Sequence, residues 1–171
     1  MKIKRWQQNY LILFSWVTLT GFLLNTAGCN EPSQHATVSK QLAYEVQGTA
    51  TERINTISAL IAKSKPLPSE LLDAQLLQEK LGDGAFGPAD FNSFYVLKIN
   101  PQDLPKWLQV LSPSSHVVNY VEPTQTRSWW VSAEQFANLK FFEPEGLMGN
   151  SNGWLGIDEQ AVLIYIFTFT T

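Results

Sequence analysis

The chain is poor in the side chains that most often bind metal ions or act as nucleophiles. Among its 171 residues there is one cysteine, Cys29, and there are two histidines, His35 and His116. A disulfide within the chain needs two cysteines and is therefore excluded. Sites built from several Cys or His ligands are excluded for the same reason. The G-x-S-x-G elbow of serine hydrolases is also missing, and we expect neither a metal ion nor another cofactor.

Positive charge is scarce as well. The chain has 12 basic and 15 acidic residues, a net charge of −3. Three of the bases, Lys2, Lys4 and Arg5, stand in the first 28 residues, which contain no acid, so the remaining 143 residues carry nine bases and 15 acids, a net charge of −6. Because phosphate groups are bound by Lys and Arg, this balance argues against nucleic acid as a partner. It also argues against electrostatic docking on an anionic lipid surface.

Residues 1–28 have the layout of a secretory signal peptide. After the basic start, Tyr10 to Leu24 form a mostly apolar run of 15 residues, and the small residues Thr26, Ala27 and Gly28 follow. This run is shorter than the ~20 residues that a membrane-spanning helix needs. We therefore predict that residues 1–28 are removed on export, with an uncleaved signal anchor as the alternative.

The residues Ala27-Gly28-Cys29 resemble the end of the lipobox of bacterial lipoproteins, with Thr26 where leucine is usual. The resemblance implies that Cys29 becomes the mature N-terminus and carries lipid, including palmitate. Several acyl chains would hold the protein stably on a membrane, whereas one chain binds only marginally. Asn30 at the next position implies sorting to the outer membrane, facing the periplasm of the bacterial cell envelope. The resemblance ends at about residue 30 and implies nothing about the domain that follows.

We expect the remainder to be a flexible tether and one domain. Residues 29–50 are rich in Ser, Thr, Gln and Ala, which is typical of a tether, and residues 51–171 are predicted to form a single α+β domain. The domain is predicted to start with a helical hairpin. Its first helix follows the apolar spacing of Ile54, Ile57, Leu60 and Ile61, with Thr51 as its cap. The second helix begins at the cap Ser69 and follows leucines 71, 72, 76, 77 and 81.

Three glycines after this second helix, Gly82, Gly84 and Gly87, spell the dinucleotide-binding pattern G-x-G-x-x-G. That pattern requires a preceding strand and a following helix, so that the pyrophosphate meets a helix N-terminus. A leucine-rich predicted helix precedes it and Pro88 follows, so we interpret Gly82 as a helix C-cap and the others as turn residues.

Strands and short helices are predicted to alternate over the rest of the chain. We predict strands at 94–99, 116–121, 129–131 and 140–142, and helices at 101–111 and 132–139, the last with a Ser132–Gln135 capping box. A β-hairpin, 154–157 and 161–170, is predicted to end the domain, and its second strand is apolar on both faces, which indicates a central position. The predicted fold is therefore a helical hairpin and short helices packed on an antiparallel sheet of about four strands.

The tryptophans give the clearest candidate for a binding surface. If Trp129 and Trp130 lie on a strand they point to opposite faces, so that one is core and the other partly exposed. An exposed ring beside the predicted 143–153 loop, near Trp154, could stack on a sugar or anchor a partner protein. The alternative is that these rings only fill the core.

Our first functional hypothesis is thus a non-enzymatic binding or accessory module on a lipid anchor. Its partner would be an envelope protein or a glycan, bound through Trp129, Trp130 and Trp154. A different class is a small periplasmic hydrolase that uses His116 with a nearby acid such as Glu122. A third is a purely structural or inhibitory accessory protein.

Overall fold

A computed structural model describes residues 43–63, 65–82, 89–149 and 151–170, and it shows an α+β fold. One antiparallel sheet of six strands has the order β1-β2-β3-β6-β5-β4. The strands are β1 (Ala43–Glu45), β2 (Leu71–Leu81), β3 (Asp90–Ile99), β4 (Lys140–Phe142), β5 (Asn152–Asp158) and β6 (Leu163–Phe169). The helices are α1 (Ala50–Ile61), α2 (Leu104–Val110), α3 (Ala133–Phe136) and α4 (Glu145–Met148), with a 3-10 turn at Pro101–Asp103.

Each face of the sheet carries its own apolar core, because alternate side chains of a strand point to opposite faces. On β6, Ile164 and Ile166 join the core beneath α1, α2 and α4, whereas Tyr165 and Phe167 join the other core. We call these the helical face and the aromatic face. The aromatic face is covered by the long connection between α2 and β4, which includes α3.

Helix α1 confirms the first predicted helix and corrects its cap. Ile57 and Ile61 are buried against the sheet, as their spacing predicted. The N-cap is Thr49 rather than Thr51: its hydroxyl accepts from the Glu52 backbone N–H, and the Glu52 carboxylate accepts from the Thr49 N–H at 2.8 Å. This reciprocal pair is a capping box. Strand β1 and this cap fall within the segment that the sequence assigned to the tether.

The second predicted helix is wrong, and with it the helical hairpin. Residues 71–81 are strand β2, paired with β1 on one side and β3 on the other. The register shifts between Leu71 and Asp73, which offsets the alternation of the leucines. Leu76 then faces the helical core and Leu77 the aromatic core. Gly82 consequently follows a strand, with φ +74°, and does not cap a helix. The next described element is strand β3, which pairs antiparallel with β2. The prediction that Gly84 and Gly87 are turn residues lies outside the described residues.

The middle of the chain is partly as predicted. Strand β3, helix α2 and the Ser132–Gln135 capping box of α3 are confirmed, and fully buried Trp107 anchors α2. The predicted strands at 116–121 and 129–131 are wrong: both stretches are irregular and belong to the connection over the aromatic face. A short helix, α4, lies within the predicted 143–153 loop.

The hairpin β5–β6 is confirmed, and β6 is central, since it pairs with β3 and β5. Both of its faces are buried, as its apolar pattern indicated. The sheet has six strands rather than about four: β3, β4, β5 and β6 were predicted, and β1 and β2 add to them. Within the described ranges, no helix is long and apolar enough to cross a bilayer. The predictions for residues 1–28, Cys29 and most of the tether lie outside the described residues.

Candidate functional site

The connection between α2 and β4 carries Trp129 and Trp130, and polar contacts fix it to the sheet. Buried Glu79 on β2 accepts hydrogen bonds from the Thr124 backbone N–H at 3.0 Å and from its hydroxyl at 3.1 Å. Glu45 on β1 accepts from the Arg127 guanidinium and from the Trp129 indole N–H, both at 3.2 Å. An irregular segment is thereby held in one arrangement by side chains of two strands.

Two of the three predicted site residues lie in the core. Trp130 is 7% and Trp154 4% exposed, and their ring centroids are 5.7 Å apart. Trp130 also packs edge-on to Phe94 at 5.1 Å and donates from its indole to the Val121 carbonyl at 2.9 Å. These two rings are part of the buried core on the aromatic face. They do not offer an exposed platform.

Trp129 is the partly exposed member of the pair, as one of the two was predicted to be. Its ring stands at 89° to that of Trp130, with centroids 6.2 Å apart. The division does not come from strand alternation, because the two residues lie in a turn. It comes from their different acceptors: Trp129 donates to Glu45 at the sheet edge, whereas Trp130 donates to the Val121 carbonyl of the same connection.

A cleft of about 310 Å³ opens beside Trp129, and we call it the Trp129 cleft. Its floor consists of buried Val96, Tyr165 and Trp130. Its walls and rim include Asp73, Gln75, Lys98, Ser128, Trp129, Gln135 and Leu163. An apolar aromatic floor with a few polar groups around it is the usual composition of a small-ligand site.

The register of the sheet explains the polar members that the sequence interpretation missed. Gln75 pairs with Val96 and Val96 with Tyr165, while Asp73 pairs with Lys98 and Lys98 with Leu163. Two cross-strand rows therefore form the sheet side of the cleft. In the sequence, the polar members are positions that alternate with apolar ones along β2 and β3. Their place on the aromatic face follows only once β2 is assigned as a strand.

The cleft is neutral to positive in charge. Asp73 is balanced by Arg53, whose Nη2 lies 2.6 and 2.8 Å from the two carboxylate oxygens. Burial, and to a lesser degree the charge of Asp158, raises the pKa of Tyr165, so this phenol stays protonated at neutral pH. The exposed Lys98 supplies an ammonium group at the rim.

The acid beside His116 is Glu143 rather than the predicted Glu122. Glu122 accepts from the Tyr120 hydroxyl at 3.4 Å. The pKa of Glu143 is lowered chiefly by the Ser115 backbone N–H at 3.1 Å, then by the Ser114 hydroxyl, and last by the nearby charge of His116. A carboxylate with a lowered pKa is a weak general base. The hydrolase hypothesis therefore gains a neighbouring acid without gaining a strong base.

Comparison of the chain with protein-family models, with curated proteins and with solved structures gives no match.

Proposed function

We propose that this protein is a non-enzymatic binding module that a lipid on Cys29 anchors in the bacterial cell envelope, and that the Trp129 cleft binds a segment of glycan. The observation that carries the proposal is the partly exposed Trp129 ring beside the polar groups of Gln75, Lys98 and Gln135. The flat side of an indole ring packs on the C–H groups of a sugar ring. Amides and an ammonium group bind the hydroxyl or carboxylate oxygens of the sugar.

Most of the predicted tether comes directly before a strand that positions the site. Residues 30–42 separate Cys29 from β1, and 13 residues reach at most roughly 45 Å when extended. Strand β1 carries Glu45, which holds both Arg127 and Trp129. The tether would thus join the domain at the strand that positions the site.

A titration tests the proposal. Full-length protein in detergent is titrated with soluble oligosaccharides, starting with an N-acetylglucosamine tetramer and a carboxylated sugar, by calorimetry and tryptophan fluorescence. We expect Trp129→Ala to weaken binding at least 10-fold, which corresponds to about 1.4 kcal/mol. Trp129→Phe should retain most of the affinity, because it keeps a ring for stacking. Lys98→Ala should weaken the carboxylated sugar more than the neutral one.

Lys106→Ala is the matched control for Lys98→Ala. Lys106 is exposed on α2, which packs on the helical face, and its ion pair with Asp103 is a surface one. Equal affinity of wild-type protein, Trp129→Ala and Gln135→Ala would refute the assignment of the site. Recovery of an envelope protein with wild-type protein but not with Trp129→Ala would support the Trp129 cleft as the binding site. It would refute the glycan as the ligand, because the partner would be a protein.

The hydrolase remains the alternative proposal, now with Glu143 as the acid near His116. His116→Ala is the test, because His116 is exposed and its loss should leave the fold intact. An ester or amide hydrolysis rate that is unchanged in this variant would exclude the role.

A further inference from the structure

A second cleft lies at the opposite end of the aromatic face. The Trp129 cleft lies where Lys98 pairs with Leu163, whereas this one lies near the pairing of Asn152 with Phe169. We call it the Trp154 cleft. Its volume is about 240 Å³. Its apolar lining includes Val118, Val121, Trp154, Phe167 and Phe169, and its polar lining consists of Ser114, His116, Asn119 and Glu143.

One wall contains a buried hydrogen-bond donor that has no acceptor. Trp154 is 4% exposed, and its Nε1 finds no partner among the described residues. The other three indoles in that part of the chain each have one: Trp107 donates to Ser69 at 2.9 Å, Trp129 to Glu45 and Trp130 to the Val121 carbonyl. Buried polar groups are nearly always hydrogen-bonded. Among the described residues, the Trp154 indole N–H is therefore the exception, a donor without an acceptor in the wall of this cleft.

The remaining walls define what such a ligand looks like. Val118, Val121, Phe167 and Phe169 form an apolar lining. Glu143 adds a carboxylate whose pKa is lowered mainly by the Ser115 backbone N–H, so it is negatively charged at neutral pH. The volume is below the roughly 300–1,000 Å³ of sites for larger small molecules, so it suits a group of the size of one residue.

We infer that the Trp154 cleft binds the N-terminal residue of a peptide that has an apolar side chain. The side chain packs between Val118 and Phe167, and the α-ammonium pairs with Glu143. The first carbonyl oxygen accepts from the Trp154 indole N–H. This occupant offers an acceptor to the orphan donor, a cation to the carboxylate and an apolar group to the lining, whereas a neutral hydrocarbon offers only the last.

The probe for the test is L-phenylalaninamide, which has the ring, the ammonium group and the carbonyl. Full-length protein with ¹⁵N-labelled indoles is titrated in detergent, and the Trp154 indole N–H resonance is followed by NMR. Trp154→Phe assigns that resonance by its loss. We expect a saturable downfield shift, as a new hydrogen bond forms.

Three comparisons decide the outcome. Glu143→Gln should weaken binding about 10-fold, and N-acetyl-phenylalaninamide, which lacks the cation, should bind wild-type protein as weakly. Glu134→Gln, an exposed acid on α3 outside the cleft, should bind like wild-type protein. Trp129→Ala should also bind the probe normally, which separates this inference from the proposed glycan site. An unmoved Trp154 resonance at saturating probe, or equal binding by Glu143→Gln, would overturn the inference.

Discussion

The indoles of Trp130 and Trp154 form a natural pair for measuring what the missing acceptor costs. Both rings belong to the aromatic core, and they are 7% and 4% exposed. Replacing either one by Phe removes the same atoms. The two changes differ in hydrogen bonding, because only Trp130 has an acceptor, the Val121 carbonyl at 2.9 Å.

The expected difference follows from that bond. Each substitution loses buried ring surface and leaves a cavity, at a similar cost for two sites in one cluster. Trp130→Phe also loses a hydrogen bond with a net value of about 0.5–1.5 kcal/mol, whereas Trp154→Phe removes a donor that was already unsatisfied. We therefore expect Trp130→Phe to lower the free energy of unfolding by roughly 1 kcal/mol more than Trp154→Phe. At this chain size that is roughly 2–4 °C in Tm.

Urea denaturation followed by far-UV circular dichroism measures both variants beside wild-type protein. Equal m-values would show that the same surface is exposed on unfolding in all three proteins. If Trp154→Phe is as destabilising as Trp130→Phe or more so, the reasoning is refuted. The Trp154 indole would then have an acceptor in the free protein, such as an ordered water. The Trp154 cleft would contain no unsatisfied donor for a ligand.

Three other outcomes are expected. The intact mass of membrane-extracted protein should equal residues 29–171 plus acyl groups, and Cys29→Ser should abolish this modification; an unprocessed, unacylated mass would indicate a signal anchor. Gly153→Ala should destabilise far more than Gly82→Ala in thermal unfolding. Both glycines have positive φ, but a Cβ on Gly153 would overlap the Phe167 carbonyl oxygen, whereas one on Gly82 meets no atom of the described residues within 4 Å. Similar losses would contradict the pairing of β5 with β6 there. The pKa of Glu143 is lowered from 4.5, so the contribution of its carboxylate to stability is present above pH 4.5 and is lost as pH falls through the lowered pKa. The urea midpoints of wild-type protein and Glu143→Gln should therefore converge in acid. A difference between the two midpoints that persists at pH 2 would refute this.

Local signals predicted the parts of the fold that depend on neighbouring residues. The pattern of Leu163–Phe169 places apolar residues on both faces, and the strand is indeed central. The caps at Asn100 and Ser132 begin the helices that the sequence indicated. These features need only a few consecutive residues, so the sequence alone contains the required information.

Strand β2 shows where such local reasoning fails. Its leucines at 71, 72, 76, 77 and 81 match a helical stripe, and the bulge between Leu71 and Asp73 hides the period of two. Burial on both faces removes the contrast that a half-exposed strand would show. The strand assignment depends on pairing with β3, which is a contact that no window of the sequence contains.

The candidate site divides in the same way. The sequence identified Trp129 as one of a pair with different surroundings, and it overestimated the exposure of Trp154. Gln75 and Lys98 reach the cleft only through the cross-strand rows of β2, β3 and β6. Glu143 comes next to His116 because β4 ends beside the connection from α2. Each of these neighbours is distant in sequence, so tertiary register decides them.

The central position of β6 has a consequence for how the chain folds. Strand β3 pairs with β6 over a long separation in sequence. The paired residues are 65 positions apart at Lys98–Leu163 and 77 positions apart at Asn92–Phe169. Until these two strands pair, β1–β3 and β4–β6 are separate ribbons whose inner edges, β3 and β6, are unpaired, and pairing across so many residues is slow. The six-stranded sheet can therefore be completed only after β6, at Leu163–Phe169, has been synthesised. Under the prediction that residues 1–28 direct export, this late completion would favour crossing of the membrane before the sheet closes.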